Sequence, residues 1–361
     1  MKLLTYDKAS DAYVYGVVTV QTLDNLKKLD GEATVIKGGL SIEIDYQTGG
    51  LEWKKRGHDI AFGFVKDGSV LVPDSFDSLA MASIYYNMEL SFLFFRDDMG
   101  LGSQMPKRLP TYYDPSIQSI DEDGTRTREI DNAFYMKISH DNRGFFIVPF
   151  KQFQWIPMAL NSGILTHEYT HYIFDILVLD NIYSLDDESA NFMRSVNEAT
   201  ADFMAVIRTE DSNYMSHTVP EGLFVTPECN ATTNMELSRD VSDPDFHKYN
   251  PMMDFVARHS DPHEYCPYEI GLFLASMLYE ISSAIDGSDG PPSKKTLLKV
   301  GKLWLKALKD LGISMIGRKH FEIWEVLSSF VKRIEVVEWR NVACEIIEEH
   351  YSDYFDEIEG C

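Results

Sequence analysis

The stretch Gly163–Leu179, GILTHEYTHYIFDILVL, decides how the rest of the chain is read. Its apolar residues Ile164, Leu165, Tyr169, Ile173 and Phe174 recur at helical rather than alternating intervals, which predicts a helix with little surface left for solvent. Within it stand His167, Glu168 and His171. Residues four apart share one helix face and lie roughly 6 Å apart along the axis, so both imidazoles can reach one point. Two histidines on a solvated face would need no further partner. Set among such apolar neighbours they do need one, and a metal ion supplies it.

Zinc bonds to ring nitrogens at about 2.0–2.1 Å, and helix-borne imidazoles meet that distance without ordering a loop. Glu168 points beside the histidine pair, placed to contact a water on the ion rather than the ion itself. A structural zinc site takes four protein ligands, whereas a catalytic one takes three and keeps a position for water. The third is expected from Asn197-Glu198-Ala199-Thr200-Ala201-Asp202, in a second helical run that also carries Phe192, Val196, Phe203 and Val206. Glu198 completes a His, His, Glu set. Asp202, one turn on along the same face, is placed to accept the other ring proton of a ligating histidine, His167 in the first instance.

Working outward, residues 12–72 alternate short β-prone runs (YVYGVVTV, EATVIKGGLSIEIDY, DIAFGFV, SVLVP) with glycine and aspartate turns. Residues 75–95 keep an apolar face at helical spacing behind an Asp and a Ser suited to capping. Residues 101–128, with three prolines and an acidic turn, read as loop with one strand at most. The runs 132–139 and 144–150 suit a hairpin leading to the histidine helix. Helical periodicity then prevails over 189–208, 268–284, 294–309 and 320–350, with long polar loops at 209–250 and 285–293. The expected fold class is α+β: a strand-rich accessory region at 1–74, a mixed α/β subdomain at 75–178 carrying the histidine helix, and a mainly helical subdomain at 179–361 carrying the third ligand.

Composition sets outer limits. The 361 residues suffice for a substantial core, and 33 basic against 57 acidic residues give a formal net charge of -24. That field repels nucleic acid and anionic membranes. It suits a solvated acidic surface, with cationic substrates or calcium as further takers. Asp240, Asp243 and Asp245 do not follow the EF-hand spacing, so calcium stays a secondary expectation. Four cysteines at 229, 266, 344 and 361 are too few and scattered for a disulfide scaffold; a bond between Cys229 and Cys266 suits an exported protein, free thiols suit either compartment. No apolar window reaches membrane-spanning length, and the stretch MKLLTYDKASDAYVYG holds no apolar run of the length a leader uses. A secreted or periplasmic home requires a removed leader; otherwise the cytoplasm is expected. Oligomeric state is open.

On HEYTH at 167–171, NEATAD at 197–202 and Asn132-Ala133-Phe134-Tyr135, the chain resembles the thermolysin-like branch of the gluzincin zinc metallopeptidases. The resemblance spans roughly residues 75–285 and implies a zincin-like fold. It implies that Asn132 and Ala133, on the edge strand above the histidine helix, hold a peptide as an added strand, which is sound because a free edge offers unpaired backbone groups. The family's transition-state histidine precedes a helix matched here by Gly271, Ala275, Leu278 and Tyr279. Here the residue near that place is Tyr268, with His263 five positions upstream; either side chain can stabilise the developing oxyanion. The longer interval from His171 to Glu198 implies an insertion around LDNIYSLDDESA, tolerable in a loop.

The expected activity is zinc-dependent hydrolysis of a peptide or protein substrate, with Glu168 as base. An endopeptidase is favoured because no separate motif for capturing a free amino terminus is evident. A peptide-binding protein that has lost turnover and a hydrolase of non-peptide substrates are the competing readings. The intact Glu168 beside a complete ligand set weighs against the first of these.

Overall fold

The computed structural model describes every residue except 46–49, 106–107, 121–123, 130–132, 140–141, 148–155, 220–239, 243–248, 250, 263–264 and 288–289. The fold is α+β: a strand-rich amino-terminal region, a mixed core with the histidine-bearing helix, and a mainly helical remainder. It forms two compact units, residues Met1–Tyr169 with His217–Val219, and Thr170–Ser216 with Pro220–Cys361.

In the first unit, β1 (Lys2–Asp7) and β2 (Ala12–Val17) make a hairpin. They are followed by β3 (Leu23–Asn25), β4 (Asp30–Gly31), β5 (Thr34–Gly38), β6 (Ser41–Asp45), β7 (Gly50–Lys55) and β8 (His58–Asp59). A second hairpin, β9 (Phe64–Asp67) and β10 (Val70–Pro73), leads into helix α1 (Phe76–Leu93). Ser75 caps that helix by accepting from the Ser78 N–H, as the sequence predicts. Most of α1 is buried, including its polar Asn87, Glu89 and Ser91. One oxygen of the buried Glu89 carboxylate, Oε1, accepts from the backbone N–H groups of Gln21 (2.8 Å) and Thr22 and from the Thr22 hydroxyl (2.7 Å).

Residues 101–128, read from the sequence as mostly loop, instead hold β11 (Leu109–Tyr113), β12 (Ser116–Ile120) and β13 (Arg126–Glu129). The prolines conceal this. β11 runs parallel to β5 and β12 parallel to β6 in one unbroken register. Both strand pairs turn together at the matched positions Gly39 (φ 67) and Asp114 (φ 46), which carries them from one sheet into the next. The tertiary pairing and the core of Leu40, Ile42, Tyr112 and Ile117 outweigh the local loop signal of Pro110 and Pro115.

The hairpin expected before the histidine helix is present as β14 (Ala133–Ser139) and β15 (Asn142–Ile147), antiparallel. The larger sheet runs β14-β15-β11-β5-β4-β3, with β8 beside β5, so β14 is its edge.

Helix α2 (Ser162–Leu177) starts at a side-chain cap. Asn161 accepts from the backbone N–H groups of Gly163 (2.9 Å) and Ile164 (3.1 Å), and its own amide donates to Thr218 Oγ1 (2.8 Å). Tyr169 stacks on Phe95 at 5.8 Å, and Thr166 meets Ser91 at 3.1 Å. The boundary between the units falls after Tyr169, within this one continuous helix.

The second unit is built on α3 (Asp187–Thr209), capped by Asp186, with α4 (Pro251–His259), α5 (Tyr268–Asp286), α6 (Lys294–Ser314), α7 (Ile323–Lys332) and α8 (Val337–His350). The long periodic stretch 320–350 is two helices rather than one: α7 ends at the Arg333 cap and α8 starts after Val336. Helix α4 carries no sequence prediction at all. Arg258 gathers Glu188, Asp254 and Glu322 around its guanidinium, with the Phe192 and Trp324 rings on its faces. Cys344 and Cys361 form a disulfide with Cα atoms 5.4 Å apart, a pair the sequence reading did not single out. Cys266 is also disulfide-bonded; Cys229 lies outside the described residues. Among the described residues no helix is long and apolar enough to cross a membrane.

Candidate metal centre

Helix α2 presents His167 and His171 one turn apart, and α3 presents Glu198. One ligand atom from each lies within 4.8 Å of the other two, the arrangement the spacing predicts. His167 is almost fully buried, and the side chains of His171 and Glu198 are about nine-tenths covered. His171 Nε2 stands 3.7 Å from Glu198 Oε1. Two ligand atoms on one tetrahedral zinc sit about 3.4 Å apart, so this pair already has the spacing of a shared ion.

The donor set fits zinc. Two imidazole nitrogens and one carboxylate oxygen suit a borderline cation that takes three protein ligands. Calcium needs six to eight oxygens, and this cluster offers one carboxylate. Among the described residues no other group of three or more His, Cys, Asp or Glu is arranged to hold an ion. Of the aspartates considered for calcium, Asp240 caps a turn by accepting from the Ser242 N–H (2.9 Å) and hydroxyl (2.7 Å), while Asp243 and Asp245 lie outside the described residues.

Asn197 contributes an interaction that sequence reading missed. Its side-chain oxygen lies 3.0 Å from His171 Nδ1 and accepts the ring proton, which leaves the Nε2 lone pair turned towards Glu198. The signal was its place beside Glu198, in a segment otherwise read for its carboxylates. Asp202 is buried and accepts from the Tyr214 hydroxyl at 2.6 Å.

Glu168 is 6% exposed and follows His167 on the same helix. Its Oε2 accepts from the backbone N–H of Tyr135 on β14 at 2.8 Å, a second interaction the sequence did not disclose. That bond also orients the edge strand. In an antiparallel pair, alternate residues direct N–H and C=O to opposite sides, so Tyr135 faces outward and Ala133, two residues back, faces the same way. Ala133 is itself buried and pairs with Ile147, while Asn132 lies outside the described residues.

Tyr268 is the first residue of α5, half-buried, directly after Pro267; His263 lies outside the described residues. Just upstream, the buried Tyr265 hydroxyl is 2.7 Å from Ser195 Oγ on α3, and burial pushes that phenol above its ordinary value, so it stays neutral. Helix α5 then passes α3 at Gly271, whose backbone lies against Glu198.

No family model matches the chain, and no curated protein matches it. A solved structure similar to it is the precursor of protealysin, a metalloproteinase from Serratia proteamaculans, at 13% identity over 94% of this chain and 92% of that one, with a TM-score of 0.43. A superposition that loose assigns no residues. The centre is therefore read from its own chemistry.

Proposed function

We propose that the chain is a zinc-dependent peptidase, an endopeptidase, in which His167, His171 and Glu198 hold the ion and Glu168 is the general base. The observation that carries this reading is the convergence of the three ligand atoms with Glu168 beside them, held by a backbone donor of an edge strand. Zinc bound there supplies Lewis acidity, polarising a carbonyl and lowering the pKa of a water. Glu168 takes the proton from the attacking water and delivers it to the leaving amine nitrogen. The Tyr135 N–H fixes one carboxylate oxygen, so the group is aimed before substrate arrives.

An extended peptide adds to the outer edge of β14, where Ala133 offers its backbone and the neighbouring Asn132 is assigned the same work. The position of Ala133 two residues from the Tyr135–Glu168 bond supports this, because it sets the peptide beside the base. Charge developing on the carbonyl oxygen is met by Tyr268 or His263, an interaction strongest in the transition state.

The test is Glu168→Gln, assayed for zinc content and for cleavage of a diverse peptide library. Zinc is expected to be retained while cleavage falls about 100-fold to 10,000-fold, the share that a positioned acid–base group supplies. Retained zinc with undiminished cleavage overturns the role of Glu168. A wild-type protein that binds zinc and peptide but cleaves nothing overturns the peptidase reading.

A further inference from the structure

Glycine in a helix interior is disfavoured relative to alanine, and Gly271 occupies the fourth residue of α5 without a left-handed backbone to justify it. Its N–H makes an ordinary helical bond to the Pro267 carbonyl at 3.0 Å. Space explains it instead. A Cβ at this position would stand 2.9 Å from Glu198 Cβ, 3.2 Å from the Ser195 carbonyl oxygen and 3.3 Å from the Ala199 nitrogen. Two of those three obstacles are the main chain of α3, and the third is the root of a ligand side chain. None is a flexible tip that could swing aside.

We infer that Gly271 is a positioning residue for Glu198: its lack of a side chain lets α5 close on α3 at the ligand itself and sets where the carboxylate root stands. The inference rests on the ligand assignment above and deepens it. A methyl at 271 must push α3 away by some tenths of an ångström, and metal–ligand distances are held to within about 0.2 Å. The Tyr265–Ser195 hydrogen bond pins α3 one turn before Glu198, so the strain concentrates at the ligand.

The experiment is Gly271→Ala in the full chain. Zinc affinity is measured by competition with a chromophoric chelator, and the visible absorption of the cobalt-substituted protein is recorded. Leu327→Ala, in the buried face of α7, serves as the control for simple loss of stability. Gly271→Ala is expected to weaken zinc binding about 10-fold to 100-fold, the range for groups that orient ligands, and to alter the cobalt bands. Leu327→Ala is expected to lower the Tm with affinity and bands unchanged. If the single variant does not fold in plain buffer, the same titration is run on it and on wild type in trimethylamine N-oxide, which stabilises the folded state without entering the site. A Gly271→Ala protein that binds zinc within twofold of wild type, with the same cobalt spectrum, overturns the inference. So does an equal loss of affinity in Leu327→Ala. Wild-type protein that binds zinc but cleaves no peptide sinks the peptidase reading alone; wild-type protein that binds neither zinc nor cobalt sinks both.

Discussion

Asn197 acts on the His171 nitrogen that lies away from Glu198, holding the ring proton on Nδ1. Removing that acceptor leaves the ring free to rotate and to choose the wrong tautomer. Asn197→Ala is therefore expected to weaken zinc binding about 10-fold to 100-fold, while Asn197→Asp, which keeps an acceptor there, stays near wild type. Equilibrium dialysis of both variants checks this, and an Ala variant with wild-type affinity refutes it. Tyr135 resists such a test because its donor is main chain and survives any substitution but proline. The difference also marks what could be read beforehand. The grouping of His167, His171 and Glu198 is legible because ligand chemistry restricts residue type and spacing. A backbone donor restricts neither, so the hold on Glu168 emerges only when the strand's register is known.

At the scale of elements, α2 depends on its start. Asn161 satisfies two N–H groups of the first turn and is itself buried, tied to Thr218. Asn161→Ala removes the cap and strands a buried hydroxyl, which is expected to cost about 1–3 kcal/mol in urea unfolding. A loss below about 0.5 kcal/mol would mean that packing alone starts the helix. Helices α1, α2, α3, α5 and α6 were legible because each keeps a long apolar repeat. Strands β11 and β12 were not, because their stability comes from β5 and β6, distant in sequence, and β13 forms by pairing with β12. Periodicity carries no information about a partner 75 residues upstream. The break between α7 and α8 was hidden for the opposite reason, since both flanking helices share an apolar pattern that runs across the gap.

The molecule as a whole carries a net charge of -24, so carboxylates repel one another unless gathered as Arg258 gathers Glu188, Asp254 and Glu322. Against that repulsion the Cys344–Cys361 disulfide restrains a loop of 17-residue separation. Replacing both cysteines with serine is expected to cost about 3 kcal/mol, visible as a lower Tm by differential scanning calorimetry. An unchanged Tm would show that packing already holds the segment. The same crosslink has another result for a molecule exposed to proteolysis. Hydrolysis of any bond between positions 344 and 361 opens the ring but releases nothing, since both new ends stay on one covalent body. Such wear would go unnoticed until a reductant freed the clipped fragment.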